Sequence, residues 1–166
     1  MKGCMAIDRQ KTETVHWHAV FTASRAEKKV RDRLEELGVE CFLPVQTVLR
    51  QWTYRKSRVV VPVIAGLVFV RVGRQEQVKV LQTKGVVAFL RLKGEAGAAV
   101  IPDKQMEDFR FLLDFSEEAV EMTNENIKAG DLVRVVKGSL RGMEGELIRH
   151  KGVTKVLVRI DMLGCA

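Results

Sequence analysis

Residues 17–38 have the sequence WHAVFTASRAEKKVRDRLEELG and contain a complete strand-to-helix transition. The apolar run Trp17–Thr22 predicts a buried strand. Apolar side chains then recur every three or four residues among charged ones, which predicts an amphipathic helix that ends at Gly38. The apolar positions of this helix are Ala26, Val30, Leu34 and Leu37. Ser24 and Glu27 have the spacing of a capping box, in which each side chain binds the backbone of the other residue.

The next segment predicts extended structure with a hairpin in its middle. Residues 39–49 are predicted to be extended, and Pro44 favours an edge strand or a bulge there. Arg50–Arg58 contains four cations and two aromatic residues, and predicts an exposed hairpin tip. Val59–Val72 is almost continuously apolar and β-branched, which predicts a strand buried on both faces.

Helix and strand patterns continue to about residue 115. Gln75–Leu81 predicts a short helix, Gly85–Leu92 predicts a strand, and Pro102 stands where another helix begins. This alternation predicts an α+β domain over residues 15–115, which we expect to follow a flexible leader of residues 1–14.

The remainder of the chain has a different pattern. Residues 116–126 are polar and acidic, without Lys or Arg, and predict a linker. Residues 127–166 alternate apolar and polar positions between glycine turns, which predicts a small β-barrel. The glycines are Gly130, Gly138, Gly142, Gly145 and Gly152.

The net charge of +7 is unevenly distributed. Residues 1–115 carry 20 basic and 13 acidic side chains, whereas residues 116–166 carry 8 of each. The first domain therefore holds the whole basic excess, which is compatible with a position close to the phosphates of a nucleic acid.

Composition and motifs exclude several classes of protein. The chain has no apolar run of about 18 residues and a polar N-terminus, so we expect neither a membrane span nor a signal peptide. Cys4, Cys41 and Cys165 are widely spaced and match no metal-binding pattern, which favours a reducing, cytoplasmic location. No nucleophile, phosphate-binding or metal motif is found, so the sequence predicts no enzyme, no cofactor and no metal.

Taken in order, these segments resemble the NusG family of transcription elongation factors. The similar segments are Trp17–Phe21, the helix ending at Gly38, Ile64–Val70 and Gly85–Phe89 for its N-terminal domain, and Gly130–Ile148 for its KOW motif. The resemblance implies a small antiparallel sheet flanked by helices, then an SH3-like β-barrel. Relatives usually add one more strand after the position of Ala166, so we expect that barrel to lack its last strand or to close differently.

Within the family, Gln51–Lys56, Ile101–Asp103 and Gly138–Gly145 are most similar to the specialised UpxY-type antiterminators of capsular polysaccharide operons. The resemblance implies a monomeric, non-catalytic factor that binds the clamp helices of RNA polymerase through an apolar depression and reduces pausing. The matching positions, which we expect to be partly exposed, are Phe21, Leu67, Phe69, Val86, Phe89 and Leu92.

The resemblance also implies contacts with nucleic acid and with a further protein. Arg33, Thr83 and Lys84 match positions that touch the displaced non-template DNA strand. We also expect Arg55 and Lys56 of the hairpin to contact phosphates or a partner. A ribosomal protein or Rho is the family's partner for the KOW loop, whose positions here are Gly138, Leu140, Gly142, Met143 and Gly145.

Departures from the family pattern leave alternatives open. Ala65 replaces a proline, Leu67 replaces a tyrosine, and the His-Thr-Thr element of RfaH-type relatives is missing from Gln75–Lys79. The alternatives are a general elongation factor acting on most genes and a ribosome-associated RNA-binding protein.

Overall fold

The computed structural model describes residues 14–115, 120, 130–136, 140–150 and 152–158. The elements in these residues are β1 (His16–Thr22), α1 (Glu27–Glu36), β2 (Glu40–Phe42), β3 (Val45–Trp52), β4 (Arg55–Pro62), β5 (Leu67–Val72), α2 (Glu76–Gln82), β6 (Val86–Phe89), α3 (Asp103–Phe115), β7 (Asp131–Arg134), β8 (Glu144–His150) and β9 (Val153–Leu157). The mixed α and β structure with antiparallel sheets agrees with the sequence prediction. Apart from Thr14 and Val120, the predicted leader and linker lie outside the described residues.

Four strands form the main antiparallel sheet in the order β2-β5-β1-β6. The inner strands β1 and β5 align with Trp17 opposite Arg71 and Phe21 opposite Leu67. Both strands are mostly buried, because helices cover both faces of the sheet. The strand predicted over residues 17–22 is confirmed, and it lies at the centre of the sheet.

The two outer strands of this sheet are short. β2 has three residues and β6 has four. The pairing of β1 with β6 shifts register between Phe21, which faces Ala88, and Thr22, which faces Val86. Val87 is skipped by this shift and therefore forms a bulge in the edge strand.

Helices α1 and α2 cover one face of the sheet. Val30 and Leu34 of α1 and Val80 of α2 are completely buried against alternate residues of the inner strands, among them Val20 and Val70. Because these helix residues recur at helical spacing, the predicted amphipathic helix is confirmed at Val30 and Leu34. The prediction is wrong at Leu37, which follows the last residue of α1 and is 57% exposed.

The start of α1 differs from the prediction. No side chain caps this helix, and Glu27 Oε1 instead accepts a hydrogen bond of 2.7 Å from the backbone N–H of Gly66. The predicted capping box of Ser24 and Glu27 is wrong because the buried carboxylate binds the turn before β5. The helix ends at Glu36, and the N–H of Gly38 donates to the carbonyl of Glu35 as the chain leaves it.

Helix α3 covers the opposite face of the sheet. Met106 and Phe109 pack against Trp17 and Phe69, and all four side chains are buried. The guanidinium of Arg110 stacks on the Trp17 ring at 4.6 Å from its centroid. This places α3 over the part of the face that contains Trp17 and Phe69.

No helix among the described residues is long and apolar enough to cross a membrane.

The continuous buried strand predicted over Val59–Val72 is wrong. The chain forms β4 as far as Pro62, turns, and resumes as β5 at Leu67. Because Pro62 has no N–H, it cannot donate a hydrogen bond to a neighbouring strand, which favours the end of β4 at this residue. β4 pairs with β3 in a separate two-stranded hairpin, with Trp52 opposite Arg55, so only β5 is a core strand. The hairpin tip predicted over residues 50–58 is confirmed.

The last three strands form an antiparallel sheet in the order β7-β8-β9. Ile148 and Leu157 are buried in it. A Cβ atom on Gly145 would lie 2.8 Å from the carbonyl oxygen of Leu157, so β8 and β9 approach closely only with glycine there. The predicted strands and glycine turns are confirmed in part, and the barrel stays a prediction because residues 127–129 and 159–166 lie outside the described residues.

His18 is a buried titratable residue of β1 that lies close to Gln77 of α2 and Phe89 of β6. Its Nδ1 lies 2.8 Å from the carbonyl oxygen of Ala99, its Nε2 lies 3.5 Å from the amide nitrogen of Gln77, and its ring meets Phe89 edge to face. Burial lowers the pKa of His18 below the usual 6.5, and the nearby His16 lowers the pKa further. The hydrogen bond to Ala99 raises the pKa, but by less than burial lowers it.

We predict that the folded protein loses stability as the pH falls from about 7.5 to 5, since the unfolded chain takes up the His18 proton at a higher pH than the folded chain does. Urea unfolding across this range measures the effect. His18→Gln should flatten the dependence, whereas His16→Gln, a change at an exposed histidine, should leave it largely in place. An equal slope in the protein and in His18→Gln would contradict the prediction.

Candidate functional site

An open apolar area lies at the end of the sheet that α3 does not cover. Leu67, Phe21 and Ala88 stand side by side across β5, β1 and β6, and we call these three residues the Phe21 row. Phe21 is 42% exposed, Ala88 is half-buried, and Leu67 is buried. The neighbouring pair, Ala19 and Phe69, is completely buried. The Phe21 row therefore marks the edge of the area that α3 shields.

Exposure separates the six residues expected to line an apolar depression. The expected partial exposure is confirmed at Phe21, Val86 and Leu92. It is wrong at Leu67, Phe69 and Phe89, which have 5%, 0% and 6% of their surface exposed.

The six residues also divide between the two faces of the sheet. Phe89 and Val86 pack with the core under α1 and α2, whereas Leu67 and Phe69 belong to the core under α3. The reason is the alternation of side chains along each strand, combined with the bulge in β6. The structure therefore brings Phe21 and Leu67 together and places Val86 and Phe89 away from them.

Three residues expected at nucleic acid do meet in the structure. Arg33 Nη1 of α1 donates a hydrogen bond of 2.6 Å to the carbonyl of Lys84, in the loop between α2 and β6. The Lys84 side chain is exposed, so both cations lie at one surface. Thr83 is buried, and its hydroxyl donates to the carbonyl of Lys79 at 3.0 Å. Thr83 thus closes the end of α2 and does not face the solvent.

Gly85 makes this junction possible. Its φ is +102°, and a Cβ atom there would lie 2.8 Å from Val30 Cγ2 and 3.7 Å from Arg33 Nη1. The carbonyl of Gly85 also accepts a hydrogen bond of 2.8 Å from the N–H of Ala23. Glycine therefore allows the loop to lie directly against α1.

Arg55 and Lys56 lie at the exposed tip of the β3–β4 hairpin. They stand opposite Trp52 and Gln51, and all four side chains are exposed. This tip is separate from the Phe21 row and from the Arg33–Lys84 junction.

The residues expected in the KOW loop are described only in part. Gly138 lies outside the described residues. Gly142 has a φ of +93°, and its N–H donates to the carbonyl of Val135. Leu140 is half-buried and Met143 is buried, so Met143 supports the loop from inside.

Sequence reasoning did not predict two contacts near the candidate surfaces. Ala88 flanks Phe21 only because the bulge shifts the register of β6, and no residue pattern predicted that bulge. Lys28 Nζ donates to the carbonyl of Val60 at 3.3 Å and joins the basic start of α1 to the hairpin. Its position on the outer face of α1 was the available signal.

The chain is similar to a known protein family and to a solved structure. Residues 15–110, more than half of it, match the family model described as "Transcription termination factor nusG". A solved structure titled "Domain interaction in Thermotoga maritima NusG" is similar at 20% identity and a TM-score of 0.45, over 91% of this chain and 96% of that chain. No curated protein matches the chain.

We predict that Gly85→Ala destabilises the protein by about 2–4 kcal/mol, through backbone strain and through the clash with Val30. Gly94→Ala is a matched control, because Gly94 has a φ of +90° and no heavy atom within 4 Å of an added Cβ. This control should lose only the strain component, about 1–2 kcal/mol. Urea unfolding measures both changes, and equal losses would show that the packing against α1 contributes nothing.

Proposed function

Because the chain belongs to the NusG family of transcription factors, we propose that it binds the clamp helices of RNA polymerase through the open end of its main sheet and suppresses pausing or termination. The observation that supports this surface best is the exposure of Phe21 beside an otherwise buried sheet face. Binding would use no catalytic residue.

The Phe21 row suits a helical partner. α3 already packs on the same sheet face through Met106 and Phe109, so this face accepts apolar helix residues. Phe21 stands where that cover ends, with Leu67 and Ala88 on either side of it. A second helix docked beside α3 would bury the exposed part of Phe21, and aromatic anchors of this kind often dominate the binding free energy.

The residues expected in the depression then have different functions. Phe21 would contact the polymerase directly, with Leu67 beside it on β5. Phe69, Val86 and Phe89 would support the sheet from its two cores and keep Phe21 in place.

Arg33 and Lys84 supply a second contact in this proposal. Their shared position at the loop before β6 offers two positive charges to the phosphates of the displaced non-template strand. Phosphate contacts of this type position a factor without reading sequence. Their loss should therefore weaken binding to the elongation complex equally at all sequences.

Suppression of pausing follows from differential binding. A factor that binds the closed, elongating clamp more tightly than the open one shifts the population toward the closed state by the ratio of the two affinities. A shift of about tenfold requires only about 1.4 kcal/mol. Contacts that form only with the closed clamp would supply this difference, whereas contacts made equally in both states would not contribute to it.

The C-terminal sheet would be part of a KOW barrel that recruits a second protein, with a ribosomal protein as the partner. The tight turn around Gly142 and the close contact of Gly145 with β9 fit a compact barrel loop. The resemblance of residues 51–56 and 101–103 to UpxY-type factors supports action at polysaccharide-type operons.

Phe21→Asp tests the polymerase contact. We predict that it weakens binding of the full chain to purified core RNA polymerase by about 30-fold, because a charge would replace the aromatic side chain that the partner would bury. Leu37→Asp is the control, since Leu37 is 57% exposed and follows the end of α1, away from the Phe21 row. Circular dichroism checks the fold of each variant, and interferometry measures the affinity.

Failure of the unaltered protein to bind polymerase would overturn the proposal, and co-sedimentation with ribosomes would then favour the ribosome-associated alternative. Equal losses in the two variants would show that the Phe21 row is not the binding surface.

Operon specificity has its own test. Chromatin immunoprecipitation of the tagged chain should give occupancy confined to a few operons. Occupancy across most transcribed genes would instead identify a general elongation factor.

A further inference from the structure

The β3–β4 hairpin projects from the domain as a two-stranded sheet of its own. Its eight cross-strand pairs run from Val45 opposite Pro62 to Trp52 opposite Arg55. Strands of this length span about 26 Å. Near the base, the pair Thr47 and Val60 is exposed and the other side chains are half-buried, whereas every side chain from 49 to 58 except Ser57 is exposed.

The outer half of the hairpin is purely cationic. Arg50, Arg55, Lys56 and Arg58 lie in it, and no Asp or Glu occurs between residues 41 and 75. None of the four cations forms an ion pair or a side-chain hydrogen bond with any residue that the structure describes. Their charge is therefore available to an anionic partner.

Two aromatic rings stand among these cations. Trp52 is 61% exposed and faces Arg55 across the ladder, and Tyr54 is 97% exposed at the turn. A two-stranded hairpin is only marginally stable in water. Tyr54 lies in the turn, beyond the last pair of the ladder, so it stabilises the hairpin through no cross-strand pair. Their exposure is better explained by a partner that stacks on the rings.

We infer that the β3–β4 hairpin binds single-stranded nucleic acid, with Trp52 and Tyr54 stacking on unpaired bases and the neighbouring arginines and Lys56 contacting phosphates. A polyanion without bases would use only the cations. A duplex would hide the faces of its bases, whereas a single strand presents both bases and phosphates.

The surface continues from the hairpin to α1. Lys28 Nζ donates to the carbonyl of Val60 and so joins the start of α1 to β4 of the hairpin. Lys29, next in sequence, is also exposed. A strand bound at the tip would therefore meet further cations as it runs toward the base of the hairpin.

This inference does not depend on polymerase binding. A nascent transcript and a displaced DNA strand offer the same chemistry, so comparing RNA with DNA separates the two sources. The assay contains no polymerase, and Phe21→Asp should bind oligonucleotides normally, so the two proposals can fail separately.

Intrinsic fluorescence of the full chain tests the stacking directly. The chain has two tryptophans, of which Trp17 is 4% and Trp52 61% exposed. Quenching by added oligonucleotide will therefore report mainly on Trp52. The probes are oligo-dT and oligo-rU of about 15 nucleotides, a duplex of equal length and heparin. We expect quenching and saturable binding with the two single strands, and weaker binding of the duplex without quenching.

Variants separate stacking from charge, with affinity measured by the anisotropy of labelled oligonucleotides. Trp52→Ala/Tyr54→Ala should weaken single-strand binding by at least about tenfold, and Trp52→Phe should retain most of it. Arg55→Gln/Lys56→Gln should lower the slope of log affinity against log salt by about 1.4. Arg74→Gln/Lys79→Gln removes the same charge at two exposed positions outside the hairpin and should change affinity by less than about twofold.

Tighter binding of oligo-rU would identify the transcript as the ligand, and tighter binding of oligo-dT would identify displaced DNA. Duplex binding as tight as single-strand binding would overturn the inference. Unchanged affinity in Trp52→Ala/Tyr54→Ala would do the same, because the hairpin would then be acting through charge alone.

Discussion

The structure depends on the pairing of β1 with β5 at the centre of the main sheet. Six consecutive residues of β1 pair with six of β5, and the two strands are buried on both faces. Burying a strand on both sides needs two layers of helix, so α1 and α2 must cover one face and α3 the other. The buried Glu27 carboxylate adds a fixed point, because it binds the N–H of Gly66 just before β5 begins. The place of every other element in the domain follows from this pair of strands.

The candidate polymerase surface is a consequence of the part of the sheet face that α3 covers. This helix shields Trp17 and Phe69 and leaves Phe21 partly open on the same strand face. The opposite face has no equivalent gap near Phe89, because α1 and α2 fill it. The same packing of α3 that buries Trp17 and Phe69 therefore leaves an apolar surface beside the helix. The basic groups on the hairpin and α1 lie outside this surface.

The sequence predicted the strand at 17–22, the helices and the hairpin tip because each has a local pattern. The predictions failed at residues whose exposure or hydrogen-bond partner depends on tertiary packing. The continuous apolar runs show that Phe21 and Phe69 are strand residues, but only the position of α3 determines that one is exposed and the other buried. Ser24 and Glu27 have the spacing of a capping box, yet the carboxylate binds a more distant backbone N–H. The run Val59–Val72 has one composition throughout, and the turn that divides it was marked only by Pro62 and Gly66.

The two edges of the main sheet have a bearing on aggregation. An exposed strand edge can pair with a second copy of the chain when it is long and regular. Here β2 offers three residues and carries the ion pair of Glu40 with Arg71, and β6 is interrupted by the bulge at Val87. Neither edge can direct the growth of an intermolecular sheet. The sheet can therefore leave the aromatic side chain of Phe21 open to solvent without also offering a long, regular edge to a second copy of the chain.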